Sequence, residues 1–298
     1  MQLTFATRPS ALARWQTARV IQLLQSAYPG LECSEYVITT AGDRTLPETR
    51  SKGLHTSQLE ETLLTGKAHA AVHSLKDLPL ENTPGIVIGA IPERESAHDV
   101  LVSTEGQTLS GLPEGAQVGT SSLRRTAQLL ARRPDLEILP LRGNVDTRVQ
   151  KVRTGEYDAV VLAQAGLTRL GLQAYISEVF SLDVMLPAPG QGALAVQCRA
   201  DDAKILYLLA AIHDPPTAAA VRAERAFLAE LGVGCSLPVG AFAEKNDNAI
   251  ILTGSVFSPD GKQSISLSAV DTEPNRLGKW LAGLVLERGA ADLLKVGV

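Results

Sequence analysis

The chain has 298 residues, of which 45% are hydrophobic and 20% charged, the composition of a globular protein with room for two or three domains. Its formal net charge of −4 gives no overall pull toward nucleic acid or anionic lipid. The three cysteines, Cys33, Cys198 and Cys235, show no CxxC or Cys/His spacing, which argues against a disulfide framework, a structural zinc site or any other metal centre.

In chain order, Gln2 to Thr7 reads as a strand and Ala11 to Ala27 as a helix stopped by Tyr-Pro-Gly. Glu35 to Thr40 is strand-like, Gln58 to Thr65 helical, and Ala68 to Val72 and Ile86 to Ala90 are short apolar strands. A second run follows. Strands are expected at Asp99 to Val102, Ala116 to Gly119, Leu136 to Leu139 and Ala159 to Leu162, with helices at Ser122 to Arg132 and Val145 to Thr154. The Pro187-Ala-Pro-Gly-Gln-Gly192 connector leads to Ala193 to Gln197, a strand that returns to the first sheet. Beyond His213-Asp-Pro-Pro216 come a helix at Thr217 to Leu231, a hairpin of Ala249 to Phe257 with Lys262 to Val270, and a helix from Asn275 to Glu287. Alternating strands and helices imply α/β architecture with largely parallel sheets, whose ligands sit at the carboxyl ends of the strands. The expected domains are 1–92 with 193–212, 98–187, and a smaller α+β domain at 215–298.

Three places carry chemistry. The first is Leu231-Gly-Val-Gly-Cys235-Ser-Leu-Pro238, a thiol in a glycine loop just past a helix. On the loop alone, a small buried turn cysteine and a ligand-reaching thiol are both open. The second is the stretch 120–153, with eight Lys/Arg against three Asp/Glu, a local +5 in an acidic chain. Arg132 and Arg133 suit a helix C-terminus. Arg124 and Arg125 do not, because they follow Gly119-Thr-Ser-Ser122 at a helix start, where their charge opposes the dipole unless an anion lies nearby. Arg142-Gly-Asn144 and Arg8-Pro-Ser10 repeat the pattern after other strands. The third is Ala71-Val-His-Ser74-Leu-Lys76-Asp77, also at a strand end. Its carboxylate suits stabilisation of a transient cation, or simply a local turn. His73 reads as a packed structural histidine. No GxSxG, HExxH, Walker or GxGxxG motif occurs. Scarce aromatics, 4% of residues, and the acidic total exclude a nucleic-acid partner.

In sequence order, the chain carries Ala6-Thr-Arg-Pro-Ser10, Ala13-Arg-Trp-Gln16, Lys52-Gly-Leu54, Ala71-Val-His-Ser-Leu-Lys-Asp77 and Gly119-Thr-Ser-Ser-Leu-Arg-Arg125. Leu141-Arg-Gly-Asn144, Thr147-Arg148, Ala165-Gly-Leu-Thr-Arg-Leu-Gly171, Pro187-Ala-Pro-Gly-Gln-Gly-Ala193 and Gly234-Cys235 follow. Over essentially its whole length it resembles the porphobilinogen deaminase (hydroxymethylbilane synthase) family. The resemblance implies two periplasmic-binding-protein-like α/β domains around a cleft, plus a third domain carrying the cysteine. It implies a transferase of tetrapyrrole biosynthesis that joins four porphobilinogen molecules head to tail into hydroxymethylbilane, with release of ammonia. A dipyrromethane cofactor, held by thioether to Cys235, and catalytic Asp77 are implied as well. Implied binding groups are Arg8, Ser10, Gln16, Lys52, Ser74, Lys76, Thr120, Ser122, Arg124, Arg125, Arg142, Arg148 and Arg169. The chemistry agrees: each porphobilinogen carries an acetate and a propionate, so a growing chain needs many guanidinium forks.

Departures from the family pattern are His55, Ser57 and Gln58 after Lys-Gly-Leu, Val233 in place of a glycine before Gly234-Cys235, and Ser96-Ala-His-Asp99. The competing reading is a non-catalytic two-domain clamp for a small anion. Residues 1–10 lack a basic segment followed by an apolar core, and no run reaches membrane-span length. A cytoplasmic monomer with no membrane partner is therefore expected.

Overall fold

A computed structural model describes residues 2–40, 56–81, 83–232 and 237–295. Within them lie the strands β1 (Gln2–Thr7), β2 (Glu32–Val37), β3 (Ala70–Ser74), β4 (Ile86–Ala90), β5 (Asp99–Ser103), β6 (Gln117–Gly119) and β7 (Glu137–Leu139). The remaining strands are β8 (Ala159–Ala163), β9 (Glu178–Val179), β10 (Leu194–Arg199), β11 (Val239–Asn246), β12 (Ala249–Phe257) and β13 (Ser264–Asp271). The chain divides into two compact units, one of residues 1–94 with 193–218 and the other of 95–192 with 219–298. The C-terminal sheet packs with the second unit.

The first unit holds a five-stranded sheet in the order β2-β1-β3-β10-β4. β2, β1 and β3 run parallel, while β10 is antiparallel to both its neighbours. Alternation along the strands gives two apolar faces. Leu3, Phe5, Val72, Val196 and Cys198 pack with Val20 and Leu24 of the helix Ala11–Ala27. Ala6 and Ala71 turn the other way, onto Leu59 and Leu63 of the helix Ser57–Leu64. The first helix begins where Ser10 Oγ accepts the Ala13 N–H at 3.3 Å, an N-cap that also brings the chain out of β1 at a defined angle.

The second unit repeats the plan with the order β7-β6-β8-β5-β9, in which β7, β6 and β8 are parallel and β5 is antiparallel to β8 and β9. Its third layer is the antiparallel sheet β11-β12-β13. Gly254 on β12 sits so close to the Phe227 ring that an added Cβ would lie 2.5 Å from it. Glycine there lets the helix Pro215–Glu230 lie down on the sheet.

Both α/β sheets are mixed, where largely parallel ones were expected. In each, the fourth strand runs antiparallel to partners far away in the chain, and local patterns do not reveal the direction of such a pairing. The strand expected at 35–40 lies at Glu32–Val37. The expectation missed β9, β11 and the helix Ala203–Ala210, whose start is signalled by Asp202 accepting the Ile205 N–H at 3.2 Å. The helix expected from Thr217 begins at Pro215, because proline in a first turn forfeits only an N–H that has no partner there.

Candidate anion-binding and active site

In the first unit, β1 and β3 are adjacent and parallel, with Ala6 opposite Ala71. Their carboxyl ends therefore deliver Arg8-Pro-Ser10 and Ser74 to Asp77 to one edge of the sheet. Ser74 ends β3, and a 3-10 turn at Leu75–Asp77 follows. Leu75 is fully buried and anchors that turn, while the Asp77 side chain is exposed. Buried Gln16, on the first helix, donates to Ser74 Oγ at 2.9 Å. Arg8, Ser10, Ser74 and Lys76 are half-buried around the same edge.

In the second unit, the parallel strands β6, β7 and β8 end at Thr120-Ser-Ser122, at Arg142 and at the helix Gln164–Arg169 respectively. Ser122 caps the helix Leu123–Leu130 by accepting the Arg125 N–H at 3.4 Å, and Thr120 Oγ1 accepts the Ser122 N–H at 3.2 Å. Both hydroxyls keep an O–H to donate. The anion that faces Arg124 and Arg125 belongs to the protein: Asp99, fully buried at the start of β5. Arg125 spends its fork on Asp99 Oδ1, at 3.0 Å from Nε and 2.7 Å from Nη2, and donates from Nη1 to the Val161 carbonyl at 2.9 Å. Asp99 thus meets a cost that the sequence reading assigned to a ligand.

Arg124 differs. Its Nη1 alone serves Asp99 Oδ2 and the Leu186 carbonyl, both at 2.7 Å. Among the described residues, no hydrogen bond engages its Nε or Nη2. That edge is the one that grips a carboxylate with two parallel bonds. Burial pulls the Arg124 pKa below its ordinary value and Asp99 opposes the shift. Two guanidiniums sharing one carboxylate leave a buried excess of positive charge that a ligand carboxylate would neutralise.

Arg169 is buried, donates from Nη2 to the Gly192 carbonyl at 2.6 Å, and is drawn down to about 10 by burial, with Glu95 opposing. Arg148 is half-buried and donates from Nε to the Gly143 carbonyl at 2.8 Å, while Arg142 is exposed. Cys235, Lys52, His55 and Val233 lie outside the described residues. No group of three His, Cys, Asp or Glu side chains among the described residues is placed to hold a metal.

Behind the first edge lies a polar chain that the sequence reading passed over. Thr83 Oγ1 donates to Glu60 at 2.8 Å, and Gln197 Nε2 donates to the other oxygen of the same carboxylate at 2.9 Å. Gln197 also interacts with the buried His73 ring, although neither Gln197 Oε1 nor His73 Nε2 has a partner at hydrogen-bond length. Burial drives the His73 pKa from 6.5 to about 4; Gln197 opposes the shift and the nearby Arg8 cation adds to it.

A depressed imidazole stabilises the fold above its unfolded pKa, and that stability is lost as pH falls from 6.5 toward 4. Between about pH 7 and about pH 4.5 the loss amounts to roughly 2 kcal/mol. Urea unfolding of the native chain and of His73→Gln at both pH values checks this. The native chain is expected to lose about 2 kcal/mol more than the variant, and equal acid losses would clear His73.

Comparison with known proteins matches residues 3–207 to the family model "Porphobilinogen deaminase, dipyromethane cofactor binding domain". Residues 218–287 match "Porphobilinogen deaminase, C-terminal domain". The chain is 48% identical over 293 residues to the porphobilinogen deaminase of Brevibacillus brevis, covering 97% of this chain and 95% of that one. It is 47% identical over 301 residues to that of Moorella thermoacetica, covering 99% and 96%. Among solved structures, the VFT2 domain of Bordetella pertussis BvgS is similar at a TM-score of 0.44 and 18% identity, over 71% of this chain and 86% of that one. Matches across both the sheet-bearing and C-terminal segments, at such identity over nearly the full length, place this chain in the porphobilinogen deaminase family.

Proposed function

We propose that this chain joins four porphobilinogen molecules head to tail into hydroxymethylbilane, working on a dipyrromethane cofactor. As a member of its family it is an enzyme of tetrapyrrole biosynthesis. The observation that carries the reading at the level of residues is the Arg124 Nε/Nη2 edge. It has no protein bond among the described residues, and it belongs to the helix that Ser122 caps, directly after the strand that ends at Gly119. A donor set of that kind fits the carboxylate arms of a dipyrromethane, so the residues present suit the cofactor.

The bound dipyrromethane supplies a permanent primer for chain growth. Arg124, Thr120 and Ser122 hold carboxylate side arms, with Arg125 adding charge from its seat on Asp99. Arg142, Arg148 and Arg169 extend the cationic edge of the same unit. In the first unit Arg8, Ser10 and Lys76 serve in the same way, and Gln16 orients Ser74. Each addition breaks the C–N bond of an aminomethyl group and the C–H bond at the free α-carbon it joins, forms one C–C bond, and releases the amine with that proton as ammonia. The departing amine leaves positive charge on the incoming pyrrole, and Asp77 lowers the energy of that cation. Lys52 and Cys235, the latter as attachment point, complete the assignment from the family pattern.

We further propose that the chain acts as a monomer in the cytoplasm. No described helix is long and apolar enough to cross a membrane. Intact mass spectrometry and incubation with porphobilinogen test the proposal together. The expected mass exceeds that of the sequence by two pyrrole units, and a linear tetrapyrrole should form and close to uroporphyrin on standing. An active protein of unmodified mass would overturn it.

A further inference from the structure

The Pro187–Gly192 connector is bonded to more of the second unit than a linker needs to be. The Pro187 carbonyl accepts the Ala241 N–H at 3.0 Å. Gly190 donates its N–H at 2.6 Å to Glu224, a fully buried carboxylate whose other oxygen accepts the Ala243 N–H at 2.8 Å. Gln191 is fully buried too, and its Nε2 donates to the Ala97 carbonyl at 2.7 Å and to Asp99 Oδ1 at 3.0 Å. The Gly192 carbonyl accepts from Arg169 Nη2 at 2.6 Å. Gly192 itself has φ +86°, and a Cβ there would lie 2.2 Å from the Glu95 carbonyl oxygen. The close approach of segment 95–97 to the connector therefore tolerates no side chain at that position.

Two adjacent residues of one connector thus set three arginines. Gln191 acts on Arg124 and Arg125 through Asp99, and Gly192 acts on Arg169 directly. Asp99 Oδ1 already receives two N–H groups from Arg125. The third donor, from Gln191, limits rotation of the carboxyl, and Oδ2 aims at Arg124 Nη1. With Nη1 pinned, the direction of the Nε/Nη2 edge follows from the rigid plane of the guanidinium.

We propose that Gln191 is a positioning residue for anion binding: through Asp99 it sets the direction of the Arg124 edge, and with Gly192 it fixes that edge relative to Arg169. The inference rests on the reading of Arg124 as a carboxylate-binding group.

Gln191→Met keeps the length of the side chain and removes both N–H bonds. Its KM for porphobilinogen should rise about tenfold while kcat stays within about threefold. The fraction of purified chains carrying the two-pyrrole mass should fall below that of the native protein. Gln191→Glu is the second variant, and it decides the matter if the methionine protein does not fold. A protonated glutamic acid restores the bond to Asp99 and an ionised one repels it, so the ratio of its KM to the native KM should fall as pH is lowered. Native KM and native loading in folded Gln191→Met, or a Gln191→Glu to native KM ratio that does not change with pH, would overturn the proposal. Arg124→Leu separates the two levels. If it raises KM while the Gln191 variants do not, only the positioning role fails. If it leaves both KM and the two-pyrrole loading unchanged, the reading of Arg124 fails and the proposal with it.

Discussion

Asp77→Asn should yield a folded protein that binds porphobilinogen and scarcely extends it. The Asp77 side chain is exposed, and its turn is anchored by buried Leu75, so the amide removes charge without opening the core. What disappears is the carboxylate that the turn after β3 brings to the edge carrying Arg8, Ser10, Ser74 and Lys76. Loss of a preorganised group that stabilises transition-state charge slows turnover by about a hundredfold to a thousandfold. Ammonia release in a single turnover measures this, alongside thermal unfolding to show that the fold persists. Turnover at the native rate would clear Asp77 of its role.

The second large effect is expected from Cys235→Ser. Essentially all native chains should carry the two-pyrrole mass and essentially no variant chains should, with tetrapyrrole synthesis lost in parallel. The structure explains why no other thiol would substitute. Cys198 is fully buried in β10, and burial, with Asp202 adding, pushes its pKa up to about 11. Cys33, on β2, is half-buried and also raised by burial. Neither holds much thiolate at neutral pH, so neither is a ready nucleophile for attachment. Intact mass of the purified variant settles the question, and a covalently loaded serine protein would contradict the assignment of Cys235.

The arginine series shows where reading by pattern stops. Strand-end placement drew attention to Thr120, Ser122 and Arg124, because a parallel sheet sends the residue after each strand to one edge regardless of what packs elsewhere. The same logic treated Arg124 and Arg125 as equals. They are neighbours in sequence but point at different oxygens of Asp99, and one fork is spent where the other keeps an edge. Their partner lies 25 and 26 positions upstream. In the sequence it is only an acid at the start of an apolar strand.

The sequence by itself determined most elements of the two α/β runs, the return of 193–197 to the first sheet, the residues at the strand ends and the family. These follow from local periodicity, caps and short motifs, which need no knowledge of distant neighbours. Only the tertiary structure decided that each sheet is mixed, that Asp99 and Gln191 stand behind the arginines, and that His73 adjoins the Gln197–Glu60–Thr83 chain. Those pairings join residues scores of positions apart. Their free energy comes from burying donors and acceptors together, and no stretch of the chain records it locally.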